Sequence, residues 1–346
     1  MKTLGILIAT LFMVGCGGGG GGSSQTPINN SSSSSSSSTS TTTYEYDRIA
    51  GEYTNKVWDS VTIGRFLGNE TYLTDYSYDA IAIITQNTNS YELEFSGTKY
   101  YDETSFNYNW ILNDNNTSVT DLYDPTNPSV VMAQSGVQSF ANVDVGIITY
   151  DRDYLAGVNI FYTDLGFVEI DYRDGAQIDS FVTAYGDATE IGDLPSSKSY
   201  NVTMYLLLQF WTDSGSTQQR VLASGDGTLD INFNTETIVG SMTADSYYDW
   251  DLWKIGGTDI SQIFGIDSVD IAIANGQVDG GNILANIDID HNSSDGTTLA
   301  GAGILMGTVF GPDADEIGLN FTMFENPDTD TQDVYFWDLF GGAIGQ

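Results

Sequence analysis

The chain has 346 residues, with 47 Asp and Glu against 10 Lys and Arg, a formal net charge of −37, one His and one Cys. Phosphate recognition needs clustered cations, so nucleic acid and anionic lipid surfaces are excluded as partners. A lone Cys16 rules out an internal disulfide and any thiolate cage for zinc or iron–sulfur, and a lone His291 disfavours imidazole-based hydrolases and multi-His metal sites.

Met1-Lys2 supplies a small positive end, and an apolar run from Leu4 to Val14 stops at Gly15-Cys16. The run is too short to span a bilayer and fits the apolar region of a secretory signal. Met13-Val14-Gly15-Cys16 resembles the lipobox of bacterial lipoproteins, with Met13 where Leu is more usual. The resemblance implies a signal peptide over 1–15, cleavage before Cys16, and lipidation (palmitate included) on that residue. Two or more acyl chains hold a protein durably, at ~0.8 kcal/mol per buried methylene. No Asp follows closely enough to signal retention at the inner membrane, so an outer-membrane address is expected. Residues 16–43 are Gly/Ser/Thr-rich and carry too few apolar side chains to repay ordering. A tether of about 28 such residues reaches roughly 30 Å on average.

From Tyr44 onward the hydrophobic period is 2. Over 44–180 the strand candidates are Ile81–Ile84, Tyr91–Phe95, Tyr108–Leu112, Gly146–Tyr150, Val158–Phe161 and Phe167–Tyr172. They predict a small antiparallel sheet or sandwich. Over 181–346 the alternation is cleaner: Tyr200–Phe210, Leu229–Phe233, Ile238–Met242, Val269–Ile273, Ile283–Ile289, Ile304–Phe310, Ile317–Met323 and Val334–Phe340. Short strands joined by Gly/Asp/Asn turns predict an antiparallel sandwich or up-and-down barrel, and an eight-stranded barrel holds packed side chains or one small ligand. The chain is thus read as all-β, with no amphipathic helix.

The most specific stretch is Gly307-Thr308-Val309-Phe310-Gly311-Pro312-Asp313-Ala314-Asp315-Glu316-Ile317-Gly318-Leu319-Asn320-Phe321. Gly311 permits unusual φ, Pro312 fixes φ and Asp313 bonds to nearby backbone, which together predict a tight hairpin turn. This stretch resembles the barrel hairpin of the transferrin-binding protein B family. Leu319 stands where the family has a second Gly, and Val309-Phe310 where it has an aromatic pair. Tyr185-Gly186-Asp187-Ala188-Thr189, Leu194-Pro195-Ser196-Ser197 and Phe340-Gly341-Gly342 fall in the expected order. The resemblance covers about 181–346 and implies an eight-stranded barrel preceded by a handle-like domain. It also implies a surface lipoprotein that captures a partner without catalysis: a host or environmental protein, haem or another iron-bearing solute, passed in some members to an outer-membrane transporter.

Individual site candidates are weaker. His291, in Asp288-Ile289-Asp290-His291-Asn292-Ser293-Ser294-Asp295-Gly296, reads as a haem or metal ligand or, preferably, as part of a polar loop after a strand. That loop and Asp328-Thr329-Asp330-Thr331-Gln332-Asp333 are oxygen-rich enough for calcium, but the first lacks the Gly and Glu of an EF-hand, and a solvated acidic loop is preferred for both. Trp211, Trp250, Trp253 and Trp337 could stack on sugar rings, burial being the default. Gly301-Ala302-Gly303 and Gly341-Gly342 read as strand bends or turns. No cofactor, catalytic residue or metal ligand is assigned. A carbohydrate-binding or carbohydrate-active lipoprotein and an adhesin or coat protein stay open as alternatives, and a porin is disfavoured by the tether and the Asp-rich strands.

Overall fold

A computed structural model describes residues 56–67, 74–77, 79–87, 90–100, 103–113, 116, 118–123, 131–150, 162–172, 178–211, 218–249, 266–293, 296, 298–325 and 336–346. The lipidation candidate Cys16, its tether, the Val158–Phe161 strand candidate and the Asp328–Asp333 loop lie outside them. Residues 44–346 make one compact unit. Among the described residues its first half holds ten strands: β1 (Lys56–Leu67), β2 (Thr74–Ser77), β3 (Ile81–Asn87), β4 (Ser90–Thr98), β5 (Ser105–Asn113), β6 (Ser118–Tyr123), β7 (Val131–Ser139), β8 (Val143–Tyr150), β9 (Thr163–Tyr172) and β10 (Ile178–Gly186). They form one antiparallel sheet in the order β5-β4-β3-β1-β10-β9-β8-β7-β6, with β2 also on β1.

The second half holds eight strands: β11 (Ser197–Trp211), β12 (Gln218–Asn232), β13 (Thr237–Asp249), β14 (Ile266–Asp279), β15 (Asn282–Ser293), β16 (Thr298–Phe310), β17 (Glu316–Glu325) and β18 (Phe336–Gly345). Each pairs with the next and β18 returns to β11, so the eight-stranded antiparallel barrel is closed. Closure removes the edges that an open sheet would expose.

The cores follow from which face each strand buries. In the sheet, the pairing partner of β1 changes along its length: Lys56–Trp58 pair with β3, whereas Asp59–Leu67 pair with β10. The sheet folds over on itself there. Trp58, Ile84, Leu93, Phe95, Phe106 and Leu112 pack against Phe66, Val145, Ile147, Ile170 and Phe181. The stacked Phe95 and Phe181 rings, 4.4 Å between centroids, join the two layers. The opposite faces of β1, β9 and β10 bury Ile63, Leu165, Phe167, Val182 and Ala184 against Tyr205, Phe310, Phe340 and Ile344 of the barrel. Within this unit the described strands are therefore layered: upper part of the sheet, lower part of the sheet, barrel.

The sheet is larger than its sequence suggests: β1, β2, β6, β7 and β10 are not among the expected strands, and for β1 and β10 the burial shows why. Residues 62–66 of β1 and 179–186 of β10 are buried without interruption, because both faces are covered. Covered on both sides, a strand loses its polar alternation and reads as a continuous mixed run. Gly341 and Gly342, expected at a bend or turn, stand inside β18. A Cβ on Gly342 would lie 2.6 Å from Leu165 Cδ1 and 2.8 Å from the Leu319 carbonyl oxygen, so the absent side chain lets the sheet approach the barrel. The Gly301-Ala302-Gly303 stretch also lies inside a strand, β16, and the register shifts between Ala302 and Gly303.

The sheet is fastened to the barrel by a buried carboxylate. Glu316 is only 1 % exposed, and its Oε2 accepts the backbone N–H groups of Tyr162 and Thr163, both at 2.8 Å. Glu316→Ala leaves both donors without this acceptor and is expected to cost about 3 kcal/mol of unfolding free energy. Glu316→Gln, whose amide oxygen can still accept, is expected to cost less. Urea denaturation midpoints with an unchanged m-value check both.

Candidate functional site

The hairpin singled out in the sequence proves to be the joint of the molecule. Gly311 has φ +77°, and a Cβ there would stand 2.4 Å from Tyr162 Cδ2, so both backbone and space demand glycine. The Gly311 N–H donates to the Asp187 carbonyl (2.8 Å), the Thr189 N–H to the Val309 carbonyl (3.0 Å), and the Thr189 hydroxyl to the Gly311 carbonyl (2.7 Å). The connection Asp187–Thr189 is thereby zipped along the hairpin. Asn320 Nδ2 donates to the Val61 carbonyl of β1 at 2.6 Å. Tyr200 donates its hydroxyl to the Ala314 carbonyl (2.7 Å), and burial raises its pKa. Lys198 pairs with Asp315 at 2.7 Å. The turn thus covers one end of the barrel, with Ala314 in the barrel core.

Over the described residues the barrel lumen is packed. Its inward residues include Val202, Met204, Leu206 and Leu208 of β11, Ile271 and Ile273 of β14, Ile287 and Ile289 of β15, and Leu319 and Phe321 of β17, none more than 3 % exposed. Close-packed apolar side chains fill the interior of an eight-stranded barrel.

His291 is placed differently from its preferred reading. It lies within β15, opposite Val269 on one side and Leu299 on the other, and is 5 % exposed. The polar look of this stretch comes from Asp288 and Asp290, which point outward while Ile287, Ile289 and His291 point inward. Desolvation lowers the His291 pKa to about 4. Among the described residues, no group of three or more His, Cys, Asp or Glu is arranged to hold a metal ion. The side chains of Trp211, Trp250, Trp253 and Trp337 are outside the described set.

Two buried carboxylates inside the folded sheet serve tyrosines. Asp164 accepts the Tyr185 hydroxyl at 3.1 Å and the Leu165 N–H at 2.8 Å. Asp179 accepts the Tyr108 hydroxyl at 2.6 Å and that of Tyr172 at 3.3 Å. Burial, and then the hydrogen bond to Asp179, raise the Tyr108 pKa. These groups hold the fold.

The barrel wall carries a concentration of outward-facing charge. Asp226, Thr243, Asp270 and Asp290 form one row across β12 to β15. Asp230 and Asp288 flank the row on β12 and β15, and all these aspartates but half-buried Asp270 are exposed. Neutral neighbours satisfy several of them: Thr203 donates to Asp226 at 3.0 Å, and Thr243 and Asn292 to Asp270, both at 2.7 Å. Such a wall attracts basic partners and repels acidic ones. In the sequence Asp290 stands out only as part of the oxygen-rich stretch around His291, and the row itself does not, because its members are dispersed over 65 positions and meet only through strand register.

No family model matches the chain, and none of the curated proteins matches it. The solved structures to which it is similar include a mutant of transferrin-binding protein B from Haemophilus parasuis Hp5, at 12% identity and TM-score 0.36, covering 78% of this chain and 54% of that one. Intact Ap-TbpB, with N and C lobes, is 10% identical at TM-score 0.36 and covers 85% and 77%. Isotype 1 transferrin-binding protein B from serogroup B Neisseria meningitidis is 11% identical at TM-score 0.34 and covers 83% and 64%. The chain spans about half the length of the first of these. So low an identity leaves the functional reading to this chain's own residues.

Two outcomes follow from the site geometry. Asp290 faces Asp270 directly. Asp290→Asn should therefore raise stability by about 0.5 kcal/mol in low salt. The gain should shrink in about 1 M NaCl, and urea titrations at the two salt levels check it. For His291, the folded pKa of about 4 lies below the ordinary 6.5. Between those values the unfolded chain takes up a proton that the folded one refuses, so stability falls as pH drops through this window. The His291 contribution to that fall is about 3 kcal/mol between pH 7 and about pH 4. His291→Leu should lack this part of the pH dependence, measured as the difference between the two proteins' unfolding free energies.

Proposed function

We propose that this chain is a lipid-anchored bacterial outer-membrane surface protein that binds a partner without catalysis, and that it does so with its outer surface. The packed lumen is the observation that carries the second clause. Among the described residues, buried apolar side chains pack the lumen, which favours recognition at the exposed wall and strand edges. The anchoring half of the reading rests on Cys16, directly after an apolar signal-like run and before a Gly/Ser/Thr tether. The hairpin resemblance implies an iron carrier or haem as cargo. The acidic, solid barrel favours a protein with a basic face, drawn from host or environmental fluid.

Both halves have direct tests. Radiolabelled palmitate is expected to enter the protein, and Cys16→Ala to abolish labelling and release the chain from membranes. Unchanged anchoring of Cys16→Ala would overturn the lipoprotein reading. In affinity capture from host or environmental fluid, the expected result is a protein partner whose retention falls with added NaCl, with no haem absorbance in the eluate. Clear product in a glycoside hydrolysis screen would overturn the non-catalytic reading.

A further inference from the structure

Apart from the four-residue β2, which hangs on β1, the path of the sheet ends in two edge strands, β5 and β6, and strand parity explains why they stay apart. Nine strands lie on the path from β5 to β6, each antiparallel to the next, so the two edge strands run in the same sense along the sheet. Direct closure would make a parallel β5–β6 pair. A parallel pair needs a crossover of about a dozen residues or more, and residues 114–117 cannot supply it. One further strand, antiparallel to β5, would restore the even count that an all-antiparallel closure requires.

The two edges are not equivalent. β6 is short, contains Asp121 and has a register shift between Leu122 and Tyr123. β5 is nine residues long, SFNYNWILN, and has no charge, Pro or Gly and no register shift against β4. It therefore lacks the devices by which proteins blunt an edge. The outer side of β5 is identified by Gln138 of β7, whose Nε2 donates to the Ile111 carbonyl (3.1 Å) and whose Oε1 accepts the Asn113 N–H (2.8 Å). By strand alternation, the backbone groups of Asn107 and Asn109 point the same way. Among the described residues nothing pairs with them there.

We infer that the outer edge of β5 is a strand-addition site for an extended, basic segment of a protein partner, which pairs antiparallel with Asn107–Asn109. The local chemistry selects that occupant. Strands β3, β4 and β5 contain no Lys or Arg, and Glu92 and Glu94 stand on the face shared with Asn107, Asn109 and Ile111. Basic side chains of the guest would extend over that face. Its alternate side chains would continue the Phe106–Tyr108–Trp110 row on the other face, whose neighbouring rings lie 5.7 and 6.4 Å apart. A second copy of the chain is a poor guest, because it would bring the same acidic face and another net charge of −37. The site deepens the partner-binding reading and fails separately from it: a partner held by the barrel wall alone would sink the strand edge and leave that reading standing.

The test uses the full chain and a fluorescent heptapeptide of alternating Lys and Val, followed by anisotropy at near-physiological salt. Saturable binding is expected for the wild type and for Asn109→Ala, which keeps the backbone N–H. Asn109→Pro removes that outward N–H without touching the β4 ladder, and should bind about tenfold or more weakly, with unchanged circular dichroism. The same peptide N-methylated at alternate residues, on the edge that faces β5, should lose binding to the wild type by a similar factor. That comparison decides the matter even if Asn109→Pro fails to fold. Equal binding of the parent and N-methylated peptides, equal binding by folded Asn109→Pro, or equally tight binding of a Glu/Val peptide would each overturn the proposal. So would a wild-type dimer that dissociates on Asn109→Pro substitution, since the guest would then be a second copy.

Discussion

A buried carboxylate that receives two backbone N–H groups holds the two halves of this protein in register. Glu316 opens β17, directly after the Pro312–Ala314 turn, and its acceptors face the start of β9. Burying a carboxylate is expensive unless charge-assisted hydrogen bonds replace water, and here two do so at 2.8 Å. Once that contact is made, the hairpin, the Asp187–Thr189 connection and the outer faces of β1, β9 and β10 have one way to meet. Gly318 and Gly342 make the same demand sterically, since a Cβ on either would run into sheet side chains. Polar specificity and close approach thus reinforce each other at one joint.

The joint has a consequence for where recognition can occur. Among the described residues, the barrel face nearest the sheet is consumed by packing, one end is covered by the turn, and the lumen is filled. Of these residues, the wall of β12 to β15 and the outer surface of the sheet remain open to a partner. The wall is built to be wet: inward Ile, Leu, Met and Val alternate with outward Asp, Asn, Ser and Thr, and the aspartates take hydrogen bonds from hydroxyls and amides on neighbouring strands. Excess negative charge is thereby tolerated on a tightly paired barrel. It sets the sign of any partner's face, and salt tunes its reach.

The sheet reaches a different compromise. The barrel solves the edge problem by closing with an even number of strands, whereas nine antiparallel strands in sequence leave the sheet with two edges of the same sense. Gln138 supplies hydrogen bonds to one end of β5, and the aromatic contact between Trp110 and Phe140, 5.0 Å between centroids, steadies it from the inner face. Among the described residues, order at that edge is obtained without strand pairing, which leaves the backbone groups of Asn107 and Asn109 presented.

Much of the fold was legible in advance, for an identifiable reason. Strands with one wet face, such as β14 and β15, write their orientation into period-2 alternation, and the Gly311-Pro312-Asp313 turn announces itself through its dihedral demands. The acidic balance and the lone Cys16 likewise belong to composition alone. Tertiary structure decided the rest. β1 and β10 lost their alternation because both faces are covered. His291 moved from an imagined loop to the lumen because register with β14 and β16 carried β15 onward. The filling of the lumen, the row of Asp226, Asp270 and Asp290, and the unpaired side of β5 depend on which strands become neighbours, and neighbourhood across a sheet is a long-range property that no local run of residues contains.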